Sequence, residues 1–146
     1  MSLPPENQVL LFPIDAGCFG CSPTHESGLR LKFFREGDSV CSQYSIPDHF
    51  HGAPDVAHGG IVATVFDEVS CGTVFFLTQS GVVTGELTVR YLAPCPVEQE
   101  LLVRGHIVDA THDKYAVVEC EMHDGDKLVA KSIGKFFYSK LVGPKS

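Results

Sequence analysis

The chain has 146 residues, 44% hydrophobic and 20% charged, and carries a formal net charge of −7 with histidine neutral. Length and balance predict one soluble globular domain, of a size that often gains from self-association. The negative charge argues against general nucleic-acid binding, which needs a basic surface, although local cations can still meet an anionic ligand.

No apolar run approaches the roughly 18 residues needed to span a bilayer. The N-terminus "MSLPPENQVLLFPIDAG" has no basic start and does not read as a signal peptide. The expectation is a cytoplasmic protein with no membrane partner, whose six cysteines stay reduced. Cys18 and Cys21 form one C-x-x-C in "GCFGCSPTHESGL". Zinc takes about four ligands and no second pair follows, so the favoured reading is a turn with two packed thiols. His25 and His51 could in principle complete a site, but neither a metal nor a cofactor is expected.

Residues 1–28, rich in Pro, Gly and Ser, predict an arm with short turns around the C-x-x-C. Residues 29–146 form the main domain. "LRLKFF" (29–34) and "SVCSQYSI" (39–46) alternate in part and flank a Glu-Gly-Asp turn, predicting a hairpin. Pro47 to Ala57 is a loop interrupted by Asp48, Gly52 and Pro54. "HGGIVATVFDEVSCGTVFFLT" then begins with helical spacing and becomes apolar almost all round, which marks a buried helix. After Gly81 the period changes to two: Leu87, Val89 and Tyr91 point one way, Glu86, Thr88 and Arg90 the other. Strands follow at 100–110, 115–123 and 127–139, with Gly125 in the turn between the last two. The order of two strands, one buried helix and four strands in a meander predicts a two-layer α+β fold, a helix laid across an antiparallel sheet of about six strands. One helix cannot cover such a sheet and close its edges, so a homodimer paired edge to edge is expected.

The chemistry concentrates in "HGGIVATVFDE" (58–68). Gly59 and Gly60 stand at the helix start, where backbone N–H groups lack partners. Without a Cβ, an acyl carbonyl can approach that backbone closely, and the helix dipole favours developing negative charge there. This is the make-up of an oxyanion hole; the plainer alternative is a flexible Gly-rich turn. Asp67 and Glu68 sit on a helix that otherwise reads as buried, and a buried carboxylate needs a partner, a proton or a wet cleft. Nine residues separate Asp67 from His58, some 13 Å along the axis and roughly the opposite face. Asp67 therefore does not serve the hole of its own chain; in a dimer it could serve the neighbour's, as base or nucleophile. Alternatively either carboxylate simply pairs with a cation on the sheet. His58 reads as a helix-start residue making a local hydrogen bond, and His49 and His51 could face a cleft. No G-x-S-x-G elbow and no Walker-type loop is present.

"HGGIVATVFDE" resembles the H-G-G-x-x-x-x-x-x-D-E signature of hotdog-fold thioesterases, in the branch similar to the phenylacetate-pathway (PaaI-like) enzymes. "CFGCSPTHESGLRLKF", "FHGAPDVAHGG" and "TGELTVRYLAPCPV" extend the likeness over about residues 17–140. The resemblance implies a sheet wrapped around a central helix and dimers, in places dimers of dimers, with active sites at the subunit interface. It implies acyl-CoA as substrate, Gly59 donating its N–H to the thioester carbonyl with Gly60 beside it, and His58 shaping the hole. Asp67 of the partner would activate water, beside Glu68, with Thr84 near that carboxylate. Many members carry Asn or Gln in the loop before the helix; here His51 stands in that region.

Two other readings remain open. "HFHGAP" also resembles the H-F-P-G-x-P stretch of 3-hydroxyacyl carrier protein dehydratases, but the position fourteen residues after His49 is Ala63, which has no proton to give. A pocket that binds acyl-CoA without turnover is the non-enzymatic alternative, separated from hydrolysis by assaying thiol release.

Overall fold

The computed structural model describes residues 3–140. Helix α1 occupies Gly59–Thr78. Its Val and Phe residues are weak intrinsic helix formers, so packing rather than propensity holds it. Val62, Val65, Phe66, Val69 and Val74 are essentially inaccessible to solvent. Fully burying one such side chain contributes roughly 1.5–3 kcal/mol. The helix begins at His58, whose Nδ1 accepts the Gly60 N–H at 2.9 Å. It ends at Gln79, in the left-handed region with φ 62°. Although broken by two carboxylates, α1 has the length and apolarity of a membrane span, with a mean hydropathy of 1.5; uninterrupted runs alone miss this. Half of that window is buried inside the protein.

Six strands wrap the helix: β1 (Phe34–Glu36), β2 (Ser39–Ser45), β3 (Val82–Tyr91), β4 (Glu100–Asp109), β5 (Tyr115–Asp124) and β6 (Lys127–Tyr138). They form one antiparallel sheet in the order β1-β2-β4-β5-β6-β3. The expected two-layer α+β architecture is present, and Ala116, Val118, Cys120 and Met122 share the buried face of β5 as their alternation predicts.

The expected four-strand meander needs correction: only β4-β5-β6 is one. Strand β3 pairs with β6, at the far edge from β2. Residues 92–99 cannot close a tight hairpin. Pro94 and Pro96 lack N–H donors, and the segment is tied elsewhere, with the Cys95 carbonyl accepting the Ala57 N–H and the Val97 N–H reaching the Asp55 carbonyl.

The first hairpin is also shorter than expected. Leu29, Leu31 and Phe33 alternate inward as a strand would, but their N–H groups bond to the Phe19, Gly20 and Leu10 carbonyls. The arm thus supplies their backbone partners. It also caps one sheet edge through bridges of Glu6 with Arg35 and Leu10 with Phe33, and Phe12 packs against Phe33, Phe75 and Phe76. The opposite edge, the ten-residue β3, has no second neighbour among the described residues.

Helix and sheet pack tightly at Gly105 on β4. A Cβ there would lie 2.5 Å from Thr73 Oγ1 and 2.9 Å from Cys120 Sγ. Thr73 is buried and its hydroxyl already donates to the Val69 carbonyl, so it has little room to yield. Gly105→Ala should destabilise the fold by about 1–3 kcal/mol, as overpacked cores do; urea unfolding measures this, and an unchanged midpoint would mean the helix can lift away freely.

Candidate active site

The entrance to α1 leaves one backbone donor open. The Gly60 N–H is taken by the His58 ring. The Ile61 and Val62 N–H groups both reach the His58 carbonyl. The Gly59 carbonyl accepts the Tyr91 hydroxyl at 2.6 Å. The Gly59–Gly60 peptide is therefore held from both sides, while the Gly59 N–H has no partner among the described residues. Gly59 and Gly60 are exposed, so this donor is open to a ligand at the positive end of the helix.

Two imidazoles near the helix entrance take opposite tautomers. Because His58 Nδ1 accepts a hydrogen bond, its proton sits on Nε2. His51 Nδ1 lies 2.6 Å from the Asp48 carbonyl, which can only accept, so His51 Nδ1 carries the proton and Nε2 is the free acceptor. Both rings line an open depression with His49, Gly60, Ile61 and Thr64. The short 3-10 turn Asp48–Phe50 sets this loop, and the His58 N–H bonds to the Phe50 carbonyl across it.

Asp67 and Glu68 lie on a different cavity, of about 460 Å³, walled by α1, the start of β3 and arm residues including Phe12 and Ile14. Neither carboxylate pairs with a cation among the described residues. Burial raises the Asp67 pKa above the ordinary carboxylate range, and the hydroxyl of Thr84, which donates to Asp67 Oδ1, pulls it partly back. Burial likewise raises Glu68; the Cys18 thiol donates to Glu68 Oε1 at 3.3 Å and lowers it, while the neighbouring Asp67 charge raises it. Cys71 also lines this cavity, and burial beside Asp67 keeps its thiol protonated.

Thr84 reaches Asp67 because β3 is irregular. The pairing with β6 slips between Thr84 and Glu86, leaving Gly85 as an extra residue. A bulge of this kind resets the alternation. Thr84 would otherwise share the outward face of Glu86, Thr88 and Arg90; the slip turns it inward with Leu87 and Val89. A Cβ at Gly85 would lie 2.2 Å from the Phe137 ring, so any larger residue there requires that ring to move.

Within one chain the structure gathers His51, His58, Gly59 and Gly60 at the helix entrance, and Asp67, Glu68 and Thr84 at the second cavity. It does not bring the two groups together: the cavities share no residue, and eight helical residues span about 12 Å.

Against known proteins, residues 55–131 match the family model of the thioesterase superfamily. This is just over half of the chain. The chain belongs to the thioesterase superfamily. Its architecture is the hotdog fold of that superfamily. A thioesterase superfamily protein of Shewanella loihica superposes with a TM-score of 0.64 at 28% identity, over 75% of this chain and 90% of that one. The smu.793 protein of Streptococcus mutans, in a structure bound to acetyl-CoA, gives 0.68 at 24% identity, over 80% of this chain and 91% of that one. The human acyl-coenzyme A thioesterase THEM5 is 32% identical over 105 residues, 70% of this chain. The chain spans only 41% of the length of that human relative.

Sequence reasoning missed two features of this superfamily member's site. The alternation places Tyr91 only on a strand face, and nothing local ties it to Gly59, 32 residues away. The bulge did have a signal, since glycine inside a strand often marks one. Tyr91→Phe should cost about 0.5–1 kcal/mol in unfolding free energy, the worth of one exposed hydrogen bond. It should also speed amide exchange at Gly60–Val62; unchanged exchange would mean the hydroxyl does not hold the entrance.

Proposed function

We propose that this protein hydrolyses an acyl-CoA thioester to the free acid and CoA at sites shared between two subunits. One observation carries the reading: the Gly59 N–H is left open at a helix start where the Gly59 carbonyl and the Gly60, Ile61 and Val62 N–H groups are all occupied. The acetyl-CoA in the Streptococcus relative supports the ligand class, and the activity named for the human relative supports the reaction.

The thioester carbonyl oxygen accepts the Gly59 N–H, whose dipole-backed donation stabilises the oxyanion. Asp67 of the partner takes a proton from a water molecule as that water attacks the carbonyl carbon. Its raised pKa makes the carboxylate a stronger base than an exposed one, and Thr84 keeps it oriented. The tetrahedral intermediate collapses by breaking the C–S bond, and the proton held by Asp67 passes to the departing CoA sulfur. The free acceptor on His51 and the donor on His58 hold the reacting water and carbonyl in the depression beside Gly60, and Glu68 borders the acyl cavity.

The unpartnered β3 edge supports the dimer. A ten-residue strand without proline or a covering element tends to pair, and Val83, Ile133 and Phe137 beside it are exposed apolar residues. Two-fold pairing there would set the entrance of each α1 near the carboxylate of the other.

Asp67→Ala should abolish thiol release. Gly59→Pro deletes the N–H at a helix position where proline is well tolerated, after a residue with φ −58° and ψ 133° that suits it. It should lower kcat by about 10²–10³ with the helix intact. Co-assembling equal amounts of the two variants should restore about a quarter of wild-type activity, since half the dimers are mixed and each has one unmutated site. No recovery would place both groups in one chain's site, and acyl-CoA binding without turnover in the wild type would leave a binding protein.

A further inference from the structure

The C-x-x-C turn does not stand alone once the chain is folded. Cys18 Sγ, Cys21 Sγ and a Glu68 carboxylate oxygen all lie within 4.8 Å of one another. Spacing along the sequence gives two ligands; the fold adds a third, 47 residues beyond Cys21. Cys18 Sγ and Glu68 Oε1 are 3.3 Å apart. Two vertices of a tetrahedral zinc site, at about 2.3 Å for sulfur and about 2.0 Å for oxygen, are roughly 3.5 Å apart, so closing the cluster on an ion needs little movement.

The turn is built to hold this position. The Ser22 N–H closes it onto the Cys18 carbonyl, and the intervening Phe19 and Gly20 carbonyls accept the Leu29 and Leu31 N–H groups. Gly20 permits the approach: a Cβ there would lie 2.3 Å from Glu68 Cγ. All three ligand residues also face the 460 Å³ cavity, which leaves a fourth direction open to water or a small anionic group.

We propose that Cys18, Cys21 and Glu68 form a site for a thiophilic divalent cation, zinc in kind, which fastens the N-terminal arm to α1. Two thiolates and one carboxylate with an open fourth position suit zinc; calcium and magnesium demand oxygen ligands throughout. Binding exchanges the two thiol protons for the cation and releases them to solvent, so affinity rises with pH. The inference stands apart from the proposed hydrolysis, because it rests on the arm–helix contact alone.

Cobalt(II) titrated into the reduced full chain, with a non-thiol reductant, is the probe. The expected result is one equivalent bound per chain, with a thiolate-to-cobalt charge-transfer band and d–d bands of tetrahedral strength, all displaced by zinc. Cys18→Ser and Cys21→Ser should each lose at least half of the charge-transfer intensity, and Glu68→Gln should weaken binding about 10–100-fold. Asp67→Ala should retain the band while losing thiol release, so the two readings fail separately. If a serine variant does not fold, zinc protection of the wild type replaces it: zinc should slow iodoacetamide modification of Cys18 and Cys21 but not of Cys71. No band at stoichiometric cobalt, a band surviving in the double serine variant, or absence of zinc protection overturns the site.

Discussion

Helix α1 exists because the sheet surrounds it. Its residues would not hold a helix in water, and their burial against β2, β4, β5 and β6 supplies the missing stability. This wrapping fixes the axis along which Gly59, Gly60, Asp67 and Glu68 are set. Gly105 sets how near the helix comes, and the caps at His58 and Gln79 set where it starts and stops. Charged groups placed on such a helix cannot be solvated in the ordinary way, which is why Asp67 and Glu68 are left with a hydroxyl and a thiol as neighbours in place of cations.

The same wrapping separates the open Gly59 N–H from the Asp67 carboxylate. A straight helix carries them to two ends of one chain, and no loop movement reconciles them. The arm closes one sheet edge and leaves β3 as the open one among the described residues. Under the proposed function these two groups would meet only across a symmetric partner, and assembly and chemistry would become one requirement.

Much of this was legible in the sequence. The period switch after Gly81 and the apolar helix gave the element order, because those signals are local, as in the alternation of Leu87 and Val89 and of Ala116, Val118, Cys120 and Met122. Gly59, Asp67 and Thr84 were singled out by motif and resemblance. What the sequence hid was non-local. Nothing near Leu92 says that β3 crosses to the far edge, since strand order depends on which neighbour the chain meets after the loop. The arm's pairing with residues 29–33, the Tyr91–Gly59 hydrogen bond and the meeting of Cys18 with Glu68 each join segments far apart in the chain. Uninterrupted apolar runs also concealed a bilayer-length helix, because two carboxylates broke the count.

The bulge at Gly85 sets ladder regularity against chemistry. A regular ladder in which Gly85 took a place of its own would give β3 an unbroken pairing with β6, and by every measure of sheet quality a sounder strand. It would also rotate the Thr84 hydroxyl to the outer surface and strand Asp67 without a donor. Stabilising this edge and keeping the carboxylate oriented are therefore competing demands on a single position, and an engineer seeking a hardier variant should leave that irregularity alone.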